Sequence, residues 1–264
     1  MGDRSTVREN RAMRSLLVVV AVVVGSLALA PQAEAVPATT CARYGTVPVQ
    51  ANQYTYQQDE WNSRETQCAL IEHDMTGAWT LSQANFDMPA AGPPAAYPSI
   101  FRGCHWGACT RQSGLPIRVG KLRTATSSWA TTEAPSGAYD VTYDLWTNST
   151  PTTSGAPNGS EIMIWLNSLG GVRPVGRLAG TVNMQGATWK VYRARRTGWN
   201  AVTYERTIGT AIVTDLDLRA FIQDSVKRGA TKPSWYLLDA EAGFEIWQGG
   251  EGLASESFGF SATS

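Results

Sequence analysis

The chain has 264 residues, 43% hydrophobic and only 17% charged, with 22 basic residues against 22 acidic ones. A neutral chain without a basic run or stripe is a poor match for nucleic acid or an anionic membrane, so a neutral partner is expected.

The first element is a leader. Arg11 and Arg14 precede an apolar run over residues 16–30, and Ala33-Glu34-Ala35 follows. A basic stretch, a short apolar run and a small-residue cleavage site predict a signal peptide over residues 1–35. Gly25 and Ser26 interrupt the run, which is too short to span a membrane comfortably. Cleavage removes four arginines and three acids, leaving 18 basic and 19 acidic residues. Residues 36–264 suit one domain of a secreted, extracellular protein.

Four cysteines follow: Cys41, Cys68, Cys104 and Cys109. An even count in an exported chain predicts two disulfides with three possible connectivities. The pairing of sequence neighbours, Cys41–Cys68 and Cys104–Cys109, is preferred; loop entropy credits these with about 3.5 and 2 kcal/mol. The alternative is a metal site built from "CHWGAC", with His105, plus His73. Export and the lack of a C-x-x-C pair set it aside, so no metal is expected.

Short strands make up most of what remains. In "AYDVTYDLWTN", Asp140, Thr142, Asp144 and Trp146 share one face, and Val141, Tyr143 and Leu145 the other. Asn158–Gly159 sits where a turn should deliver the chain into "SEIMIWLN". There Ile162, Ile164 and Leu166 form a core-like face, while Glu161, Met163 and Trp165 point oppositely. "ATWKVYRA" alternates in the same way. Then "DLRAFIQDSVKRG" breaks the pattern: Leu218, Phe221, Ile222 and Val226 follow helical spacing, with Asp217 to cap the start and Gly229 to end it. Strands return in "SWYLLDAEAGFEIW", where Asp239, Glu241, Glu245 and Trp247 share a face opposite Phe244 and Ile246. One helix among many strands predicts a β-sandwich with the helix packed outside it.

Each of Glu161 and Glu245 alone reads as an ordinary solvated carboxylate. Together, two carboxyls flanking an aromatic-lined groove are what glycoside hydrolysis requires, and ten tryptophans supply flat faces for sugar rings.

At "EIMIWLN" and "GFEIWQGG" the chain resembles the two catalytic motifs of glycoside hydrolase family 12, secreted endo-β-1,4-glucanases of the cellulase type. The likeness extends through "YPSIFRGCHWGAC", "SGAYDVTYDLW" and "SWYLLDAEAGFEIW". It implies an all-β jelly roll of two curved antiparallel sheets with a concave cleft, and disulfides like the preferred pairing. It implies Glu161 as nucleophile, Glu245 as general acid/base, and Asp144 as the acid beside the nucleophile. Trp61 matches a sugar-stacking tryptophan. The family's usual asparagine two residues earlier is Asp59 here, which cannot donate when ionised. Met163 is read as cleft floor or, equally, as a gap-filling residue. Trp165 and Trp247 are read either as sugar platforms or as packing supports, and His105 either as reaching the cleft or, by preference, as a brace for the Cys104–Cys109 loop.

The resemblance implies retaining hydrolysis of internal bonds in cellulose or mixed-linkage β-glucan by a monomer, without cofactor, nucleic acid or membrane. The alternatives are a xyloglucan-specific endoglucanase and a non-catalytic carbohydrate-binding module.

Overall fold

The computed structural model of the chain describes residues 1–2, 37–72 and 75–264. The leader and its cleavage site, and also His73, therefore lie outside the described residues. The early strands are β1 (Ala38–Thr40), β2 (Thr46–Val49), β3 (Tyr54–Gln57), β4 (Gln67–Ile71), β5 (Trp79–Asp87) and β6 (Ser99–His105). Next come β7 (Ala108–Cys109), β8 (Ile117–Arg118), β9 (Thr124–Thr132), β10 (Ala138–Asn148), β11 (Ser160–Leu169), β12 (Arg177–Met184) and β13 (Ala187–Arg195). The last are β14 (Asn200–Arg206), β15 (Ile212–Asp217), β16 (Tyr236–Leu237), β17 (Asp239–Gly243), β18 (Ile246–Gly250) and β19 (Ala254–Thr263), with helix α1 (Leu218–Lys227) before β16.

One sheet is ordered β1–β4–β5–β19–β9–β15. The other runs β2–β3–β6–β17–β10–β11–β14–β13–β12, with β18 continuing β17 alongside β10. β5 belongs to both, pairing with β19 in the first and β18 in the second. This is the expected all-β jelly roll of two curled sheets. Among the described pairs only β11 and β14 are parallel. A parallel neighbour needs a long crossover, which the β12–β13 hairpin provides.

The alternation in β10 and β11 divides the molecule. Tyr139, Val141, Tyr143, Leu145, Ile162, Ile164 and Leu166 enter the main core between the sheets. There Trp129 meets Tyr143 edge-on at 5.2 Å between ring centres, a geometry that suits aromatic quadrupoles. Met163 and Trp165 turn away into a separate small cluster with Trp247 and Val172.

Helix α1 buries Leu218, Phe221 and Ile222, with Phe221 against Trp189 at 4.9 Å and Tyr204 at 5.2 Å. Asp217 stands at its start but makes no side-chain cap. The residue is the last of β15, opposite Thr126, and strand pairing rather than the helix sets its backbone. Asn158–Gly159 closes the loop from the end of β10 and delivers the chain into β11 at Ser160. A Cβ on Gly159 would stand 2.6 Å from the Thr147 carbonyl, so only glycine fits there.

The disulfides join Cys41 to Cys68 and Cys104 to Cys109. No described helix is long and apolar enough to cross a membrane.

Candidate active site

The face of the second sheet turned away from the main core is a floor of acids and tryptophans. Four strands set it by register. On β11, Glu161 lies opposite Trp146 of β10 on one side and Ala201 of β14 on the other. On β10, Asp144 lies between Met163 of β11 and Glu241 of β17. Register partners point to the same side of a sheet, so Glu161, Met163, Asp144, Trp146 and Glu241 share this floor. Glu245 falls in the break between β17 and β18, where its N–H donates to Asp140 Oδ1 at 3.0 Å and its carbonyl accepts the Asp140 N–H at 3.0 Å. Asp140 precedes Asp144 by four residues on the same face of β10, so one strand carries the acid beside each glutamate.

Both glutamates are half-buried. Burial pushes Glu245 up to about 7, with the Asp140 carboxyl pulling it down and the charge of Glu161 pushing it further up. Glu161 is raised too, chiefly by burial, but a hydrogen bond from Trp199 and the positive charge of Arg196 oppose this. The indole Nε1–H of Trp199 donates to Glu161 Oε2 at 2.8 Å. Trp199 sits edge-on to Trp146 at 5.5 Å, and Trp146 edge-on to Trp106 at 4.9 Å. Asp144 is held far above the ordinary carboxylate range by burial, then by the charges of Glu161, Glu241, Asp239 and Glu245.

Trp61 is 42% exposed and borders a recess of about 390 Å³ with Arg43, Asp87 and Met88. Met88 also packs on the Met163–Trp165–Trp247 cluster, which links the recess to the floor. Asp59, at a positive φ of 38°, turns inward. Burial raises it to about 6, with His105 lowering and Glu241 raising it. Its charge in turn reaches Glu245. Trp165 and Trp247 are 2% and 3% exposed, and meet at 6.4 Å; they are packing supports, not open platforms.

His105 does more than brace its loop. Its ring packs on Trp106 at 4.4 Å and its Nδ1 touches Glu241 Oε1. Sequence reading placed Asp239 and Glu241 on the Glu245 face without giving them a role. It passed over Trp199 and Arg196, whose segment "RRTGW" is a turn without periodicity.

Two carboxyls of unlike pKa, within electrostatic reach on one open floor, can act as a nucleophile and a proton donor. A family profile described as glycosyl hydrolase family 12 matches residues 52–263. The chain is 42% identical to a solved metagenome-derived family 12 endoglucanase, with a TM-score of 0.83 over 86% of this chain and 98% of that one. It is 34% identical over 146 residues to a probable cellulase of Mycobacterium tuberculosis, covering 55% of this chain and 95% of that protein. It is also 34% identical over 115 residues to a xyloglucan-specific endo-β-1,4-glucanase of Phytophthora sojae, covering 42% of this chain and 45% of the other.

Proposed function

The chain belongs to glycosyl hydrolase family 12, and from that premise we propose that it is a secreted, monomeric endoglucanase cleaving internal β-1,4 bonds of cellulose or mixed-linkage β-glucan with retention. Residues 1–35 are its signal peptide and residues 36–264 its catalytic domain. Glu161 is the nucleophile and Glu245 the general acid/base. The observation that carries this reading is the pairing of two half-buried glutamates on one floor, with Glu245 raised to about 7 partly by the charge of Glu161.

The electrostatics suit the roles. Carboxylates about 5 Å apart, the retaining separation, repel by about 3 kcal/mol at an effective dielectric of 20, or about two pKa units. Glu245 therefore keeps its proton near neutrality, while Trp199 and Arg196 favour the ionised form of Glu161. Glu161 attacks the anomeric carbon as Glu245 protonates the departing oxygen. The resulting ester removes the charge on Glu161, so Glu245 ionises more readily and activates the water that hydrolyses the ester. Asp144 shares its proton with Glu161 and fixes its orientation. Trp61 offers an exposed ring to a sugar, Asp59 accepts hydrogen bonds from the same subsite, and Met163 packs beneath.

The test measures new reducing ends from carboxymethylcellulose, barley β-glucan and xyloglucan. Activity on at least one is expected, with near-complete loss in folded Glu161→Gln and Glu245→Gln. The Phytophthora sojae relative keeps xyloglucan as the second reading. Activity on xyloglucan alone would select it, and binding without cleavage would select a carbohydrate-binding module. A first product with the α-configuration, read by proton NMR, would exclude the double displacement.

A further inference from the structure

On the same floor, toward β6, the buried carboxylates of Asp239 and Glu241 each have one oxygen anchored by hydrogen bonds and one turned to His105. Glu241 Oε2 accepts from Gln57 Nε2 at 2.7 Å and Ser99 Oγ at 3.1 Å. Asp239 Oδ1 accepts the Trp146 N–H at 3.1 Å. The other oxygens, Glu241 Oε1 and Asp239 Oδ2, are buried without a hydrogen-bond partner, and so is His105 Nδ1. These three atoms converge on one another. They lie within 4.8 Å of one another; Nδ1 is 3.8 Å from Asp239 Oδ2 and in close contact with Glu241 Oε1, an ion pair when the imidazole is protonated.

We propose that His105, Asp239 and Glu241 form a binding site for a divalent transition-metal ion of the zinc type, tying β6 to β17 at the side of the floor.

Three features carry this. First, the geometry is near that of a tetrahedral site: donors about 2.1 Å from the ion stand roughly 3.4 Å apart, and Nδ1 and Asp239 Oδ2 are 3.8 Å apart. Second, each carboxylate is aimed by hydrogen bonds on its far oxygen, which is how outer partners orient metal ligands. Third, the charges fit. Two fully buried carboxylates face one imidazole, and a lone buried charge is costly unless paired or metal-bound. A dication neutralises both and leaves His105 neutral. One nitrogen and two oxygens suit zinc, cobalt or manganese, whereas calcium and magnesium seek six or more oxygens. The backbone permits the convergence through Gly103 (φ 123°), where a Cβ would stand 2.3 Å from the Leu238 carbonyl. His105, 13% exposed at its side chain, is the way in. The cysteines flanking this segment are sealed in a disulfide and take no part.

The test uses no glucan, so its outcome is separate from the fate of the hydrolase reading. The full chain, stripped of metal by a chelator, is titrated with zinc chloride by calorimetry, and its melting is scanned with and without zinc. One equivalent per chain is expected, with a higher melting temperature. His105→Ala and Glu241→Gln should each weaken binding at least about 100-fold, the upper end of what losing even an orienting partner costs. His73→Ala, which alters the only other histidine, should leave it unchanged. Binding should also weaken as pH falls, because a proton competes for Nδ1. Near-UV circular dichroism checks the fold of each variant; if Glu241→Gln does not fold, His105→Ala decides alone. Absence of saturable binding by the folded unmutated chain, or full retention of binding in His105→Ala, overturns the proposal.

Discussion

Trp199→Phe removes one hydrogen bond and little else. The lost donor is the indole N–H that reaches Glu161 Oε2 at 2.8 Å, while a phenyl ring still packs against Trp146. Hydrogen bonds to a charged group contribute about 1.5–3 kcal/mol, and the half-buried Glu161 belongs at the lower end. At 1.36 kcal/mol per pKa unit, about 1.5 kcal/mol is close to one unit. The bond favours the carboxylate, so its loss raises the pKa of Glu161. The acid limb of kcat/KM should then move up by about one pH unit, costing up to about tenfold on that limb and far less at the plateau. Initial rates on a soluble β-glucan from about pH 4 to 8 measure it. An equal loss at every pH with the limb in place, or an unchanged profile, would refute the assignment of Trp199 as the residue that holds Glu161 ionised.

Two further substitutions probe the acids and the core. Asp59, raised from 3.8 to about 6, binds its proton more tightly in the folded chain than in the unfolded one. Its stabilising effect is therefore full below the unfolded pKa and is lost as pH rises through about 6. Two units set a ceiling of about 3 kcal/mol; partial exposure reduces this to about 1–2 kcal/mol. Asp59→Asn should accordingly raise the melting temperature at about pH 8 relative to the unmutated chain, and by less at about pH 4. The same change lifts a negative charge from Glu245, so the basic limb of kcat/KM should move to lower pH. A melting temperature that falls at about pH 8 would contradict the first expectation, and an unmoved basic limb the second. Phe221→Ala empties a fully buried ring site between Trp189 and Tyr204 at a cost of about 3–5 kcal/mol. Calorimetry should show a drop of about 10 °C, and activity per folded molecule should persist because α1 packs on the side of the sheet opposite Glu161.

What sequence revealed was what two-residue periodicity records. The alternation of β10 and β11 separated Ile162, Ile164 and Leu166 from Glu161 and Met163, and the structure keeps that division. The 3.6-residue period of Leu218, Phe221 and Ile222 located α1 in its turn. What stayed hidden depends on contacts distant along the chain. Trp199 meets Glu161 only because β14 runs parallel to β11, and no local pattern announces a parallel neighbour. Asp217 shows the opposite failure: its local signal for a cap was sound, but strand pairing determined its backbone. His105 was assigned to its nearest covalent neighbours, whereas β6 pairs with β17 and carries it to Glu241.

The sharing of β5 between the two sheets has a mechanical consequence. One edge of β5 carries β4, and along the other it pairs with β19 at Trp79 and Thr80 and then with β18 at Asn85, Phe86 and Asp87, so the leaves are stitched along a common seam. Sliding one leaf over the other, the usual shear motion of packed layers, would tear those ladders. The curvature of the second sheet, and with it the bed that carries Glu161 and Asp144, is thereby set at folding.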